Sequence, residues 1–138
     1  MLTITLFDAV TRIIVSVIAG LLIGFVRKKY PAGIRTFTLI CLGATIFTII
    51  SIDPAFYQSD ASIDPTRIIA QIVTGIGFIG AGVIWKSNIK VGGLTTAAAI
   101  WTSAAIGILL GLGEFILGIL SLLLVIIILA SKRYFDGG

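Results

Sequence analysis

Histidine is absent from this chain of 138 residues, and cysteine occurs once. A zinc site built from His and Cys is thereby excluded. The lone Cys41 forbids an intrachain disulfide and leaves the redox compartment unreadable. Charge is scarce as well: 12% of the residues carry it, against roughly a quarter in soluble domains. The N-terminal stretch lacks a basic residue, its first charge is Asp8, and no small-residue cleavage site follows, so the first apolar run does not read as a cleaved signal peptide. No phosphate loop, pair of deep carboxylates or metal-ligand cluster is evident, and the buried hydroxyls lack a general base. These absences argue against an enzyme and imply neither cofactor nor metal.

What the chain has instead is apolar sequence. Hydrophobic residues make up 58% of it, and mean hydropathy is +1.18. Five apolar runs, at about 6–26, 36–52, 67–85, 94–112 and 115–131, fill most of the length. A helix of about 20 such residues crosses a hydrocarbon core of roughly 30 Å, and uninterrupted runs there must be helices because their backbone groups find no water. The predicted fold is therefore all-α: one transmembrane domain over residues 1–138, a five-helix multi-pass bundle in a lipid bilayer, with no soluble C-terminal domain.

The net charge of +4 is confined to span ends, which argues for a positive-inside signal rather than nucleic acid. Arg27, Lys28, Lys29 and Arg35 occupy the first gap; Asp53, Asp60 and Asp64 the second; Lys86 and Lys90 the third; Glu114 the fourth; Lys132 and Arg133 the tail. The alternation predicts an outer N-terminus and a cytoplasmic C-terminus. Tyr30, Phe56, Tyr57, Trp85, Tyr134 and Phe135 fall at the expected interfaces, whereas Trp101 falls near mid-membrane, where its indole N–H needs a partner. A weak internal repeat at an offset of 60 aligns Gly20, Gly33, Thr36, Ile40, Ala44 and Ile46 with Gly80, Gly93, Thr96, Ile100, Ala104 and Ile106.

Small residues mark expected helix contacts, since helices in lipid associate by close backbone approach. Ser16, Gly20 and Gly24 line one face of the first span, Gly77 and Ala81 one of the third, and Gly107 and Gly111 one of the fourth. The fifth span, nearly all Leu and Ile, reads as peripheral. Gly75-Ile76-Gly77-Phe78-Ile79-Gly80 spells a dinucleotide fingerprint, but no strand precedes it and no acid follows about 20 residues on. Its glycines serve packing or bending.

Polar residues within the spans are few. Asp64 is a favourable N-cap and Pro65 suits the first turn of the third span. Arg67, Gln71 and Thr74 then descend one face. Two readings fit: a cap with a snorkelling arginine and a helix-bonding glutamine, or the wall of a polar cavity for an ion, headgroup or partner. Asp8 and Arg12 would neutralise each other, or Arg12 would pair with Asp64. The basic group Arg27, Lys28, Lys29 and Arg35 would meet anionic headgroups or an acidic partner.

Three stretches go beyond composition: GLLIGFVRKKYPAGIRT (Gly20 to Thr36), DPTRIIAQIVTGIGFIGAGVI (Asp64 to Ile84) and VGGLTTAAAIWTSAAIGILLGLG (Val91 to Gly113). Together they resemble the MgtC/SapB family of bacterial inner-membrane proteins over nearly the whole chain. The family pattern falls on Arg27, Gly33, Arg35, Thr36, Asp64, Arg67, Gln71, Gly75, Gly77, Gly80, Gly82, Gly93, Leu94, Thr95 and Trp101. The chain departs from it at Val26, where many members carry an acid, at Gly92, where a basic residue is frequent, and in lacking the soluble domain of longer members.

The resemblance implies a five-span domain, adaptation to low magnesium, virulence, and a regulator that docks on another membrane complex, the F-type ATP synthase being one implied partner. The alternative is a small ion carrier or channel, for Mg²⁺, with Asp53, Asp60 and Asp64 gathering a hydrated ion outside; its pore would require a homo-oligomer.

Overall fold

A computed structural model describes residues 4–56, 64 and 66–131 in full and the backbone of 132–135. Tyr57, Asp60 and Pro65, and the side chains of Lys132, Arg133, Tyr134 and Phe135, lie outside the described residues. Among the described residues, five α-helices follow one another: α1 (Leu6–Val26), α2 (Ile34–Ile52), α3 (Thr66–Gly82), α4 (Leu94–Leu112) and α5 (Phe115–Phe135). A 3-10 turn, Pro54–Phe56, follows α2, and a two-stranded hairpin separates α3 from α4, pairing β1 (Trp85–Lys86) with β2 (Val91–Gly92).

The third apolar run ends its helix earlier than expected, at Gly82 rather than residue 85. Val83 and Ile84 donate to the carbonyls of Gly80 and Ala81, tightening the last turn, and the chain then enters the hairpin. The indole of Trp85 lies over Gly92, where any side chain would strike it. That contact gives the glycine at position 92 a local reason. Gly93 (φ +86°) and Gly113 (φ +87°) bracket α4 in the left-handed region, which side chains resist.

α4 is the central helix and packs on all four others; α3 lies against α4 and α2, and α5 against α4 and α1. α1 and α4 run antiparallel, since Arg27 meets Thr96 and Arg12 meets Gly111. α2 and α4 run parallel: Cys41 bonds to Ser103 and Thr45 to Gly107. The bundle therefore has an acidic end, bearing Asp8, Asp53, Asp64 and Glu114, and a basic end, bearing Arg27, Lys28, Lys29, Arg35, Lys86 and Lys90. The repeat read from sequence has a structural counterpart: α1 and α3 begin at 6 and 66, and α2 and α4 cover 34–52 and 94–112.

The core is small-residue packing around a few large side chains. Phe37, Ile23, Ile100, Ile106 and Leu110 are buried together with Ser16, Thr45, Thr48 and Ser103. Each of these four hydroxyls bonds to a backbone carbonyl, which removes the cost of an unpaired group in an apolar interior. α1, α2 and α4 are long and apolar enough to cross a membrane; α3 and the apolar part of α5 are shorter. The outward face of α5 is open from Ile116 to Ile128, in keeping with a peripheral helix.

Candidate functional site

The small-residue face of α1 carries an arginine at each end. Ser16, Ala19, Gly20, Ile23 and Gly24 are buried, and helical spacing brings Arg12 and Arg27 onto the same face. Arg12 Nη1 donates to the Gly111 carbonyl at 2.7 Å. The last carbonyls of α4 need hydrogen-bond donors and carry its negative dipole end. Asp8 instead bonds Thr5, through Thr5 Oγ1 to Asp8 Oδ2 at 2.6 Å. Of the two partners expected for Arg12, neither Asp8 nor Asp64 holds it; a helix terminus does.

Arg27 corrects a second expectation. Sequence position assigned it to an exposed basic surface with Lys28, Lys29 and Arg35, but only 2% of it is exposed. Its Nη2 donates to Thr96 Oγ1 in the first turn of α4, and Tyr30 stacks on its guanidinium 3.8 Å away. Burial lowers its pKa, an effect that Tyr30 opposes. Its Nε is buried without a hydrogen-bond partner. The signal for this burial was present in the sequence, because Arg27 follows Gly24 by three residues and Gly20 by seven. Lys28, Lys29 and Arg35 are exposed as expected, and Lys28 Nζ lies 4.6 Å from the Phe25 ring centroid.

The stripe expected to wall a polar cavity is not gathered into one. Asp64, Arg67, Gln71 and Thr74 are all exposed, and Asp8 and Arg12 serve α1 and α4. Asp64 does cap α3: its Oδ1 accepts from Thr66 N at 2.9 Å and from Thr66 Oγ1 at 2.8 Å. These bonds, with nearby Arg67, hold its pKa below the ordinary value. Thr74 bonds back to the Ala70 carbonyl. Beside this stripe lies an apolar groove of about 670 Å³ between α2 and α3. Leu39, Gly43, Phe47, Ile72 and Ile76 line it, with Gln71 on one wall and Arg35 at the basic end. Composition had hidden it, since an apolar groove and an apolar contact face read alike.

The glycines divide into two classes. A β-carbon at Gly20 would fall 2.5 Å from Thr38 Cα, one at Gly107 2.5 Å from the Cys41 carbonyl oxygen, and one at Gly111 2.6 Å from Thr48 Cβ. Gly24 is pressed as tightly on Ile34, and Gly80 meets Ala97 at ordinary contact distance. Gly75, Gly77 and Gly82, by contrast, have nothing within 4 Å of such a carbon. They do not pack within this bundle, because only one edge of α3 faces α2 and α4. Trp101 is likewise no packing residue: it is half exposed, on an open face of α4 shared with Leu94, Ala98 and Ala105. The side chains that stitch α2 to α4, the Thr45 hydroxyl and the Cys41 thiol, carry no distinctive signal in an apolar run.

A family model described as the MgtC family matches residues 13–137. An uncharacterized protein of Synechocystis sp. is 42% identical over 122 residues, covering 87% of this chain and 50% of its own length. Protein MgtC of Brucella abortus is 50% identical over 96 residues, 68% of this chain and 38% of that protein. Protein MgtC of Salmonella typhimurium is 42% identical over 112 residues, 80% of this chain and 46% of that protein. The chain thus spans half or less of the length of these curated relatives. No solved structure matches it.

Proposed function

The chain belongs to the MgtC family of membrane proteins, and from that premise we propose that it is a non-enzymatic regulator of the bacterial cytoplasmic membrane that docks on another membrane complex. The observation that supports this reading is the open side of α3. Gly75, Gly77 and Gly82 have no neighbour there, and Phe78 is 84% exposed. The apolar groove beside α2 continues that surface. Small residues let a foreign helix approach the backbone closely, which is how helices associate in lipid. The membrane sector of the F-type ATP synthase is the partner that the family resemblance suggests, and growth at low magnesium or within a host is the setting.

In this reading all five helices cross the bilayer as one domain. The basic end faces the cytoplasm and the acidic end, with the N-terminus, faces outward. That orientation follows the positive-inside rule.

Pull-down from native membranes tests the proposal. Gly77→Leu fills open space, so the protein should fold normally and lose its copurifying complex. Retention of the complex by Gly77→Leu and Gly75→Leu overturns the α3 docking face. Capture only of a second copy makes the surface a homo-oligomer contact instead. Mg²⁺ flux through the purified chain in liposomes, abolished by Asp64→Ala or Gln71→Ala, replaces the regulator with a carrier.

A further inference from the structure

Two positive features meet at the basic end with no carboxylate between them among the described residues. One is the guanidinium of Arg27, 2% exposed, whose Nε has no hydrogen-bond partner. The other is the N-terminus of α4, a helix of 19 residues whose first turn receives no side-chain cap from Gly93. Aligned peptide dipoles place about half a positive charge there, together with N–H groups that lack intrahelical acceptors. Arg27 reaches into this turn, since its Nη2 donates to Thr96 Oγ1.

Among the described residues, the carboxylates Asp8, Asp53, Asp64 and Glu114 all lie at the acidic end. The length of α1, 21 residues, puts that end about 30 Å away. The C-terminus of α1 offers Arg27 only a partial negative charge. The Tyr30 ring at 3.8 Å covers a face of the guanidinium and leaves the in-plane Nε–H edge unserved. A buried cation held against the positive end of a helix is costly unless an anion joins the pair.

We propose that the junction of Arg27 with the first turn of α4 is a binding site for a phosphate group. Arg27 Nε–H and the free N–H groups of Leu94 and Thr95 are its donors. Thr96 Oγ1 accepts from Arg27 and keeps its own hydrogen to donate. A phosphate suits this set better than a carboxylate, because it has more acceptor oxygens and a second negative charge for the neighbouring Lys28 and Lys29. Helix N-termini are established seats for such groups, and a forked arginine matches their geometry. Leu94 and Thr95 are exposed, and Tyr30, itself 39% exposed, is the side chain whose movement admits the ligand. The same chemistry is offered by inorganic phosphate and by the headgroup of a monoester phospholipid.

The test uses the full chain with ¹⁵N-labelled arginine. One arm titrates inorganic phosphate in zwitterionic detergent; the other compares nanodiscs of phosphatidylcholine with and without phosphatidic acid. The Arg27 Nε–H resonance should shift and saturate, and the unfolding midpoint should rise. Arg27→Met should weaken the midpoint response by about tenfold or more, the worth of one charge-assisted hydrogen bond. Thr96→Val should weaken it less, and Lys28→Met should leave a saturable response.

A response to inorganic phosphate alone identifies a soluble ligand, and one to phosphatidic acid alone a headgroup; either supports the site. An Nε–H resonance unmoved in both arms overturns it, as does a midpoint response that survives in Arg27→Met. A shift produced by acetate and not by phosphate overturns the phosphate assignment. If Arg27→Met does not fold, the resonance in the unmodified chain and in Thr96→Val decides.

Discussion

A β-carbon on Gly20 would lie 2.5 Å from the Cα of Thr38. α1 and α2 therefore touch backbone to backbone, and no side chain can yield to make room. Gly20→Ala should destabilise the bundle by about 1–3 kcal/mol, the usual cost of overpacking. Gly20→Val should cost more. Unfolding in mixed detergent micelles measures both, and an Ala variant as stable as the parent would contradict the close approach.

Thr45 Oγ1 donates to the Gly107 carbonyl at 2.8 Å, joining α2 to α4 beside another backbone contact. Thr45→Val keeps the shape and removes the bond. Interhelical hydrogen bonds in membrane proteins average about 0.6 kcal/mol, so the loss should be of that order. Gly107→Leu in the same assay should be far more damaging.

Arg12 closes the C-terminal end of α4 through the Gly111 carbonyl. Removing it with Arg12→Ala should cost about 1.5–3 kcal/mol, as for hydrogen bonds to charged groups. Arg12→Lys should recover part of that. Faster amide exchange in the last turn of α4, with the α2 amides unaffected, would locate the effect.

Asp64 anchors the start of α3 through Thr66. Its pKa is lowered from 3.8 chiefly by the Thr66 backbone hydrogen bond. A carboxylate depressed in the folded state stabilises fully above its unfolded pKa and loses that contribution as pH falls through the folded one. The Thr66 amide resonance should therefore titrate with a midpoint below 3.8, and Asp64→Ala should abolish the titration and fray the first turn of α3. A midpoint at or above that value contradicts the cap.

Sequence alone was enough for the existence and order of the helices, because each is dictated locally, but not for the end of α3 at Gly82. Apolar runs bounded by Thr5, Gly33, Asp64, Gly93 and Gly113 leave the backbone little choice of where to begin and stop, and α1 and α4 have the bounds expected of them. The close-packed glycines at 20, 24, 107 and 111 were also legible, since four-residue spacing puts small residues on one face of a helix. Tertiary structure decided which faces meet. Gly77 and Ala81 look in sequence like Gly107 and Gly111, yet they stay open because α3 sits at the edge of the bundle and α4 at its centre. Arg27 and Lys28 are adjacent in a basic run, yet helical rotation buries the first under α4 and leaves the second outside. Periodicity assigns a residue to a face; only the arrangement of neighbouring helices determines whether that face is covered, and with it whether a charge is solvated or held against a helix end.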